Sequence, residues 1–252
     1  MSVRKVESER GWAVNFVAAV VKPTASVMTH RTWIDGEKIP ATGGCILVVN
    51  HISHVDPLLT ALFVWDHGRI PRYLAKSTLF RTTFVGRVLS SANQIPVERL
   101  SKSAIGAYDA AVKAVNDGEC VVVYPEGTLT RDPGLWPMSG KSGAARIALA
   151  TGVPVIPVAH WGAQDMLYPY ASKPDLFPRK HITMKAGDPL PLDDLRALPQ
   201  TPQVVNDTTE RIMAALTSLV AELRGEDPPP TLFDPREAGV QLIGNPNKKE
   251  RR

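Results

Sequence analysis

CILVVNHISHVDPLLTALFV, residues 45–64, is the stretch whose reading decides the fold. Cys45 to Val49 form a short apolar run rich in β-branched residues, the composition of a buried strand. Asp56 and Pro57 followed by Leu58 to Val64 have the form of a helix start, with an acidic N-cap, a proline at the first helical position and then apolar residues. His51 therefore stands on a loop between a strand and a helix. Across such a loop the Asp56 carboxylate can fold back onto an imidazole nitrogen, a contact that five positions along one continuous helix would not allow. One carboxylate oxygen is expected to cap the helix while the other accepts the histidine N–H, leaving the second ring nitrogen free to take a proton. An isolated H-x4-D spacing is more often a loop satisfying its own backbone, and His51, His54 and Asp56 are also metal-ligand types. The chain carries no further histidine-and-acid cluster to complete a binuclear metal site.

Working outward, short apolar runs alternate with helical stretches. Strands are predicted over 45–49, 72–75, 94–97, 120–124, 153–159 and 181–186, and helices over 57–65, 78–89, 102–117, 140–151 and 203–224. This alternation predicts an α/β fold with a mostly parallel central sheet flanked by helices. Pro154 and Pro157 suggest that the strand at 153–159 is an edge or has disrupted pairing. Residues 1–35 are read as an N-terminal amphipathic helical segment that associates with a membrane. It carries Trp12, Val14, Phe16, Val17, Val20 and Val21, a break at Pro23, and a second turn or helix through Met28 and Trp33. Residues 36–225 form the α/β domain, and residues 226–252 a Pro-rich, basic, loosely ordered tail.

A chain of 252 residues with 44% hydrophobic content suits one such domain with a substantial core. Cys45 and Cys120 both fall in predicted strands, which gives no disulfide framework and favours a cytoplasmic compartment. Between Arg69 and Lys102 seven basic residues stand against the single acid Glu98, a pattern that invites an anionic partner. Nucleic acid, a phosphorylated small molecule and an anionic lipid surface all satisfy charge alone, and no recognisable nucleic-acid module accompanies the window. The apolar run at 11–21 falls short of the ~20 residues that span a bilayer. Gly134 to Ser142 imitates a P-loop, but five residues separate its glycines and no strand leads into it. A helix start at Ser139 or Ser142 accounts for it, with Lys141 able to face an anion. No G-x-S-x-G string occurs, so Ser53 is a poor nucleophile candidate.

Four strings taken in order, NHISHVD (50–56), QIPVER (94–99), YPEGT (124–128) and VPVIPV (153–158), resemble the four motifs of the glycerolipid acyltransferase family that includes 1-acylglycerol-3-phosphate O-acyltransferase. The PEGTLTRDP variant looks like actinobacterial members. The resemblance implies transfer of an acyl group from acyl-CoA or acyl-carrier protein, used as donor substrate with no cofactor and no metal, to a glycerol hydroxyl. The product is phosphatidic acid when the acceptor is lysophosphatidic acid; glycerol 3-phosphate is the alternative acceptor, and a non-catalytic phospholipid-binding protein or a thioester hydrolase the alternative functions. It implies that His51 is the base and Asp56 its orienting partner, without an acyl-enzyme. It further implies that Arg99 binds the acceptor phosphate through its planar fork. Glu126, Gly127 and Thr128 would line the acceptor site, Glu126 holding a glycerol hydroxyl or an arginine, and Lys76 matches another basic position. The family often has glycine where Asn93 stands and arginine where Leu129 stands, so Arg131 is the candidate to replace that guanidinium. The implied setting is peripheral, on the cytoplasmic face of an anionic cell membrane.

Overall fold

The computed structural model describes residues 12–97, 104–241 and 245. Arg99, Glu98 and Lys102, and residues 1–11 of the N-terminal segment, lie outside the described residues. The seven strands are β1 (Thr29–Ile34), β2 (Cys45–Val49), β3 (Pro71–Lys76), β4 (Ile95–Val97), β5 (Cys120–Val123), β6 (Val155–Trp161) and β7 (Lys180–Ala186). They form one sheet in the order β1-β7-β6-β2-β5-β3-β4. The five from β6 to β4 run parallel, β7 runs antiparallel to β6, and β1 is parallel to β7. The expected mostly parallel α/β fold is what the chain adopts.

Side-chain alternation along the central strands explains why helices cover both faces. Cys45, Leu47 and Val49 point to one face, where they meet Leu59, Phe63 and Val64 of α2 (Asp56–Asp66). Ile46, Val48, Val121 and Val123 point to the other. There they pack against α5 (Ala104–Asn116), α6 (Gly143–Thr151) and α9 (Pro202–Arg224) through Ala111, Val115, Ala145, Ile147, Ile212 and Leu216. Burying each large side chain of this kind contributes about 1.5–3 kcal/mol. Because α2 follows β2 on one face and α6 follows β5 on the other, the chain diverges after two adjacent strands. A crevice opens there, at the carboxyl ends of the parallel strands, where α/β sheets bind ligands.

Several expectations are corrected. Thr29 to Ile34 form a strand, β1, rather than a turn or helix, so the sheet begins within the segment read as N-terminal helix. Pro23 does not break α1 (Trp12–Met28); it sits inside it, with Thr24 and Ser26 hydroxyls donating to the carbonyls four residues back. The helix read at 78–89 is two, α3 (Ser77–Phe80) and α4 (Thr83–Ser91). β6 is an interior strand despite its prolines. Pro154 precedes it, and Pro157 stands at the end of the antiparallel ladder with β7, where its carbonyl still accepts from Gly187 N at 2.8 Å and its missing N–H costs only the last bond of that ladder. Part of the tail is docked, with Phe233 bridging to Met138. Cys45 and Cys120 are free, buried and directly opposed across β2 and β5. The basic window is less of a surface than its charge suggests. Arg69 is buried and donates to the carbonyls of Pro40, Gly43 and Gly118, while Arg72 pairs with Glu119. Among the described residues no helix is long and apolar enough to cross a membrane.

Candidate active site

The loop from Asn50 to Val55 leaves β2 at the centre of the crevice and carries His51 on it. Its conformation is fixed largely by one buried atom. Asp56 Oδ2 accepts from Ile52 N and Ser53 N, both at 2.7 Å, and from His51 Nδ1 at 2.9 Å. The sequence reading gave one oxygen to a helix cap, but α2 has no side-chain cap, and Oδ1 makes no hydrogen bond among the described residues. Loop closure and imidazole orientation thus depend on the same oxygen. Burial opposes a charge on Asp56, yet the imidazoles of His160 and His51 hold its carboxyl down at about 2. An ionised carboxylate only accepts, so Nδ1 of His51 is the donor and Nε2 is left to take a proton.

Main-chain bonds lock His51 from both sides: its N donates to Glu126 Oε1 at 3.0 Å, and its carbonyl accepts from Thr130 N at 2.7 Å. Its ring stacks on Tyr124 at 4.2 Å between centroids, and Tyr124 in turn stacks on Tyr73 at 6.4 Å. Glu126 is buried, and its second oxygen accepts from Met138 N at 3.2 Å. Its carboxyl group clamps the β2 exit to the β5 exit, at the position where the resemblance implied a hold on a glycerol hydroxyl or an arginine. Burial pushes this carboxyl up to about 8 despite the bonds from Met138 and His51. The sign follows from linkage: a carboxyl raised on folding gives its stability below its ordinary value, and that stability is lost as pH rises through about 8. Glu126→Gln is expected to be less stable than the parent at pH ~5.5, because one backbone bond is lost, with the gap closing by pH ~8.5. Melting curves at both values check this, and a gap that widens with pH would refute it.

The remaining expected residues distribute unevenly. Gly127 turns the chain at φ 70°, and a Cβ there would lie 2.8 Å from Lys141 Nζ, so the absent side chain is what lets that lysine lie on the turn. Thr128 Oγ1 is 3.3 Å from the Tyr170 hydroxyl, which also donates to the Leu129 carbonyl at 3.0 Å. Arg131 is buried, with its guanidinium 5.3 Å from the Tyr170 ring centroid. Lys76 is exposed at the carboxyl end of β3, two strands and roughly 10 Å across the sheet from β2. It pairs in register with Val97, the residue two before Arg99. His54 is exposed and edge-on to Tyr170, and among the described residues no three His, Cys, Asp or Glu side chains group to hold a metal ion. Sequence reasoning missed Tyr124, Tyr73, Tyr170, Asn50 and His160. Tyr124 was within reach, since it opens the YPEGT string.

Beside this site runs an apolar groove of about 320 Å³. It is lined by Val14, Leu58, Leu62, Trp65, Phe84 and Val88 of α1, α2 and α4, and by Pro57, the residue after Asp56.

A family model for acyltransferases matches residues 30–161, just over half the chain and every element that builds this site up to Trp161. This chain belongs to the acyltransferase family. Among the relatives of this acyltransferase is the chloroplastic 1-acyl-sn-glycerol-3-phosphate acyltransferase BAT2 of Brassica napus, 30% identical over 61% of this chain and 44% of that protein. The 1-acyl-sn-glycerol-3-phosphate acyltransferase of Borreliella burgdorferi is 36% identical over 51% and 50%. That of Bacillus subtilis is 26% identical over 73% and 85%. The acyltransferase thus spans about half the length of the first two relatives and most of the third. The crystal structure of the 1-acyl-sn-glycerophosphate acyltransferase from Thermotoga maritima has the same fold, with TM-score 0.62, 21% identity, and 85% of this chain and 81% of that one covered.

Proposed function

We propose that this acyltransferase moves a fatty acyl group from acyl-CoA or acyl-carrier protein to the free hydroxyl of 1-acylglycerol 3-phosphate, giving phosphatidic acid. The observation that carries the reading is the His51–Asp56 pair, its Nε2 uncommitted, beside a groove of almost wholly apolar lining. The names of the relatives support the acceptor. In this reading His51 Nε2 takes the proton from the acceptor hydroxyl as its oxygen attacks the thioester carbonyl. The tetrahedral adduct then expels the thiolate, which recovers that proton from Nε2, so the histidine returns to its starting state. Asp56 holds the imidazole and balances its transient charge. A fatty chain in the groove keeps its hydrocarbon out of water at about 0.8 kcal/mol per methylene. Arg99, just past β4, grips the acceptor phosphate, with Lys76 and Arg131 as the other cations from the implied set; Lys141, resting on Gly127, adds a charge at the same turn.

Mass spectrometry of products from purified protein offered labelled palmitoyl-CoA tests the assignment. Phosphatidic acid from lysophosphatidic acid is expected. Labelled lysophosphatidic acid from glycerol 3-phosphate as the preferred reaction would replace the acceptor, and no transfer to either would sink the reading.

The same protein is proposed to work peripherally on the cytoplasmic face of an anionic membrane. Trp12, Val20 and Val27 of α1 and Phe84 and Val85 of α4 are exposed, with the exposed cations Arg81, just after α3, and Arg87, on α4. Trp12→Ser combined with Phe84→Ser should lower sedimentation with phosphatidylglycerol vesicles several-fold. Undiminished sedimentation would count against these helices as the contact.

A further inference from the structure

We propose that His160 is a positioning residue of acyl transfer, the third member of a His51–Asp56–His160 unit; the proposal rests on the reaction assigned above. His160 lies on β6, one strand over from β2 and 109 residues after His51, and its side chain is fully buried. Its Nε2 is 2.9 Å from the Asn50 carbonyl, which can only accept, so this nitrogen carries a hydrogen. The same atom is 3.5 Å from Asp56 Oδ2. Asn50 returns the contact. Its Nδ2 donates to the His160 carbonyl at 3.0 Å, and its Oδ1 accepts from His160 N at 2.9 Å. Each side chain thus bonds the other residue's main chain just past the last paired residues of the two strands, Val49 and Val158. The peptide that leads into the catalytic base is held at this point.

Packing alone gives a poor account of an imidazole here. Its Nδ1 is buried with no hydrogen-bond partner among the described residues, a cost that an aliphatic side chain of similar volume would not carry. What the imidazole supplies is one N–H aimed at the Asn50 carbonyl and at the single Asp56 oxygen that also holds His51. Asp56 Oδ1 makes no bond among the described residues, so the carboxylate is fixed through Oδ2 alone. With His51 on one side of that oxygen and His160 on the other, rotation of the carboxylate would strain both contacts. His160 sets the orientation of Asp56, and through it the imidazole of His51, without reaching the substrate.

Three variants of the full-length protein test this: His160→Leu fills the volume without a donor, His160→Gln places an N–H where Nε2 stood, and His160→Asn places one only where Nδ1 stood. In steady-state assays with a short-chain soluble acceptor, His160→Leu is expected to lower kcat by ~10- to 100-fold with both KM values within about twofold. His160→Gln should recover to within about fivefold of the parent, and His160→Asn should stay with the leucine variant. A kcat for His160→Leu within twofold of the parent overturns the proposal, as does equal impairment of the Gln and Leu variants. If His160→Leu does not fold, the Gln and Asn pair decides by the same split. A parent protein that transfers no acyl group refutes the reaction instead. The positioning role is then read from the His51 Nδ1–H proton resonance, expected to persist in His160→Gln and to shift or vanish in His160→Asn; an unchanged resonance in both overturns it.

Discussion

Replacing His51 by alanine is expected to lower kcat by on the order of 10² to 10⁴ while the protein folds as before. The two halves of that expectation have separate causes. The imidazole keeps Nε2 for a hydroxyl proton while Asp56 holds its Nδ1, an arrangement no other histidine among the described residues shares, so nothing nearby substitutes for it. The loop does not depend on the ring, because His51 N and O are held by Glu126 and Thr130 through the main chain, which alanine keeps. Single-turnover rates under saturating donor, set beside melting curves of the same preparation, separate the two. A variant that folds and retains a tenth of the parent rate would remove His51 from the reaction.

Asp56→Asn should cost on the order of 10² to 10⁴ in kcat as well, and above pH ~4 it should also lose the stability that the ionised carboxylate contributes. An asparagine oxygen can take the place of Oδ2 and still accept from Ile52 N, Ser53 N and His51 Nδ1; what disappears is the charge that balances the imidazolium during transfer. Asp56→Ala is the contrasting variant. It strands two buried N–H groups and should cost ~2–4 kcal/mol in addition. The acid limb of stability distinguishes them from the parent. The carboxyl lies at about 2 in the fold, so its contribution is complete above the ordinary value of 3.8 and lost as pH falls through about 2. Asp56→Asn lacks that dependence, and its acid unfolding midpoint should move accordingly. Equal stability loss in the Asn and Ala variants would contradict the single-oxygen account of the loop.

Much of this architecture is legible in the sequence where the signal is local. Cys45 to Val49 and Cys120 to Val123 read as strands because their apolar side chains are contiguous, and the helix after Asp56 reads from its proline. His51 and Asp56 are five residues apart, so one loop joins them. The failures come from partners distant along the chain. Thr29 to Ile34 carry too few apolar residues to declare a strand, and become one because β7, some 150 residues later, pairs with all six of them. Pro157 suggests an edge strand until the registers place β6 between β2 and β7. No spacing rule announces that the Glu126 oxygens face the main chain of His51 and Met138. His160 gives no local sign at all, since its connection to Asn50 exists only once β2 and β6 lie side by side.

The clamps on His51 bear on when the order of this site is established. An imidazole on a freely moving loop would have to find its productive orientation in every cycle, and the lost freedom would appear in the activation barrier each time. Here the peptide on either side of the base is tied to Glu126 and Thr130, and its ring lies against Tyr124. That entropy is surrendered once, as the chain folds, and is offset by the same burial that holds the two halves of the sheet together. The His51 imidazole is accordingly aimed before any substrate arrives.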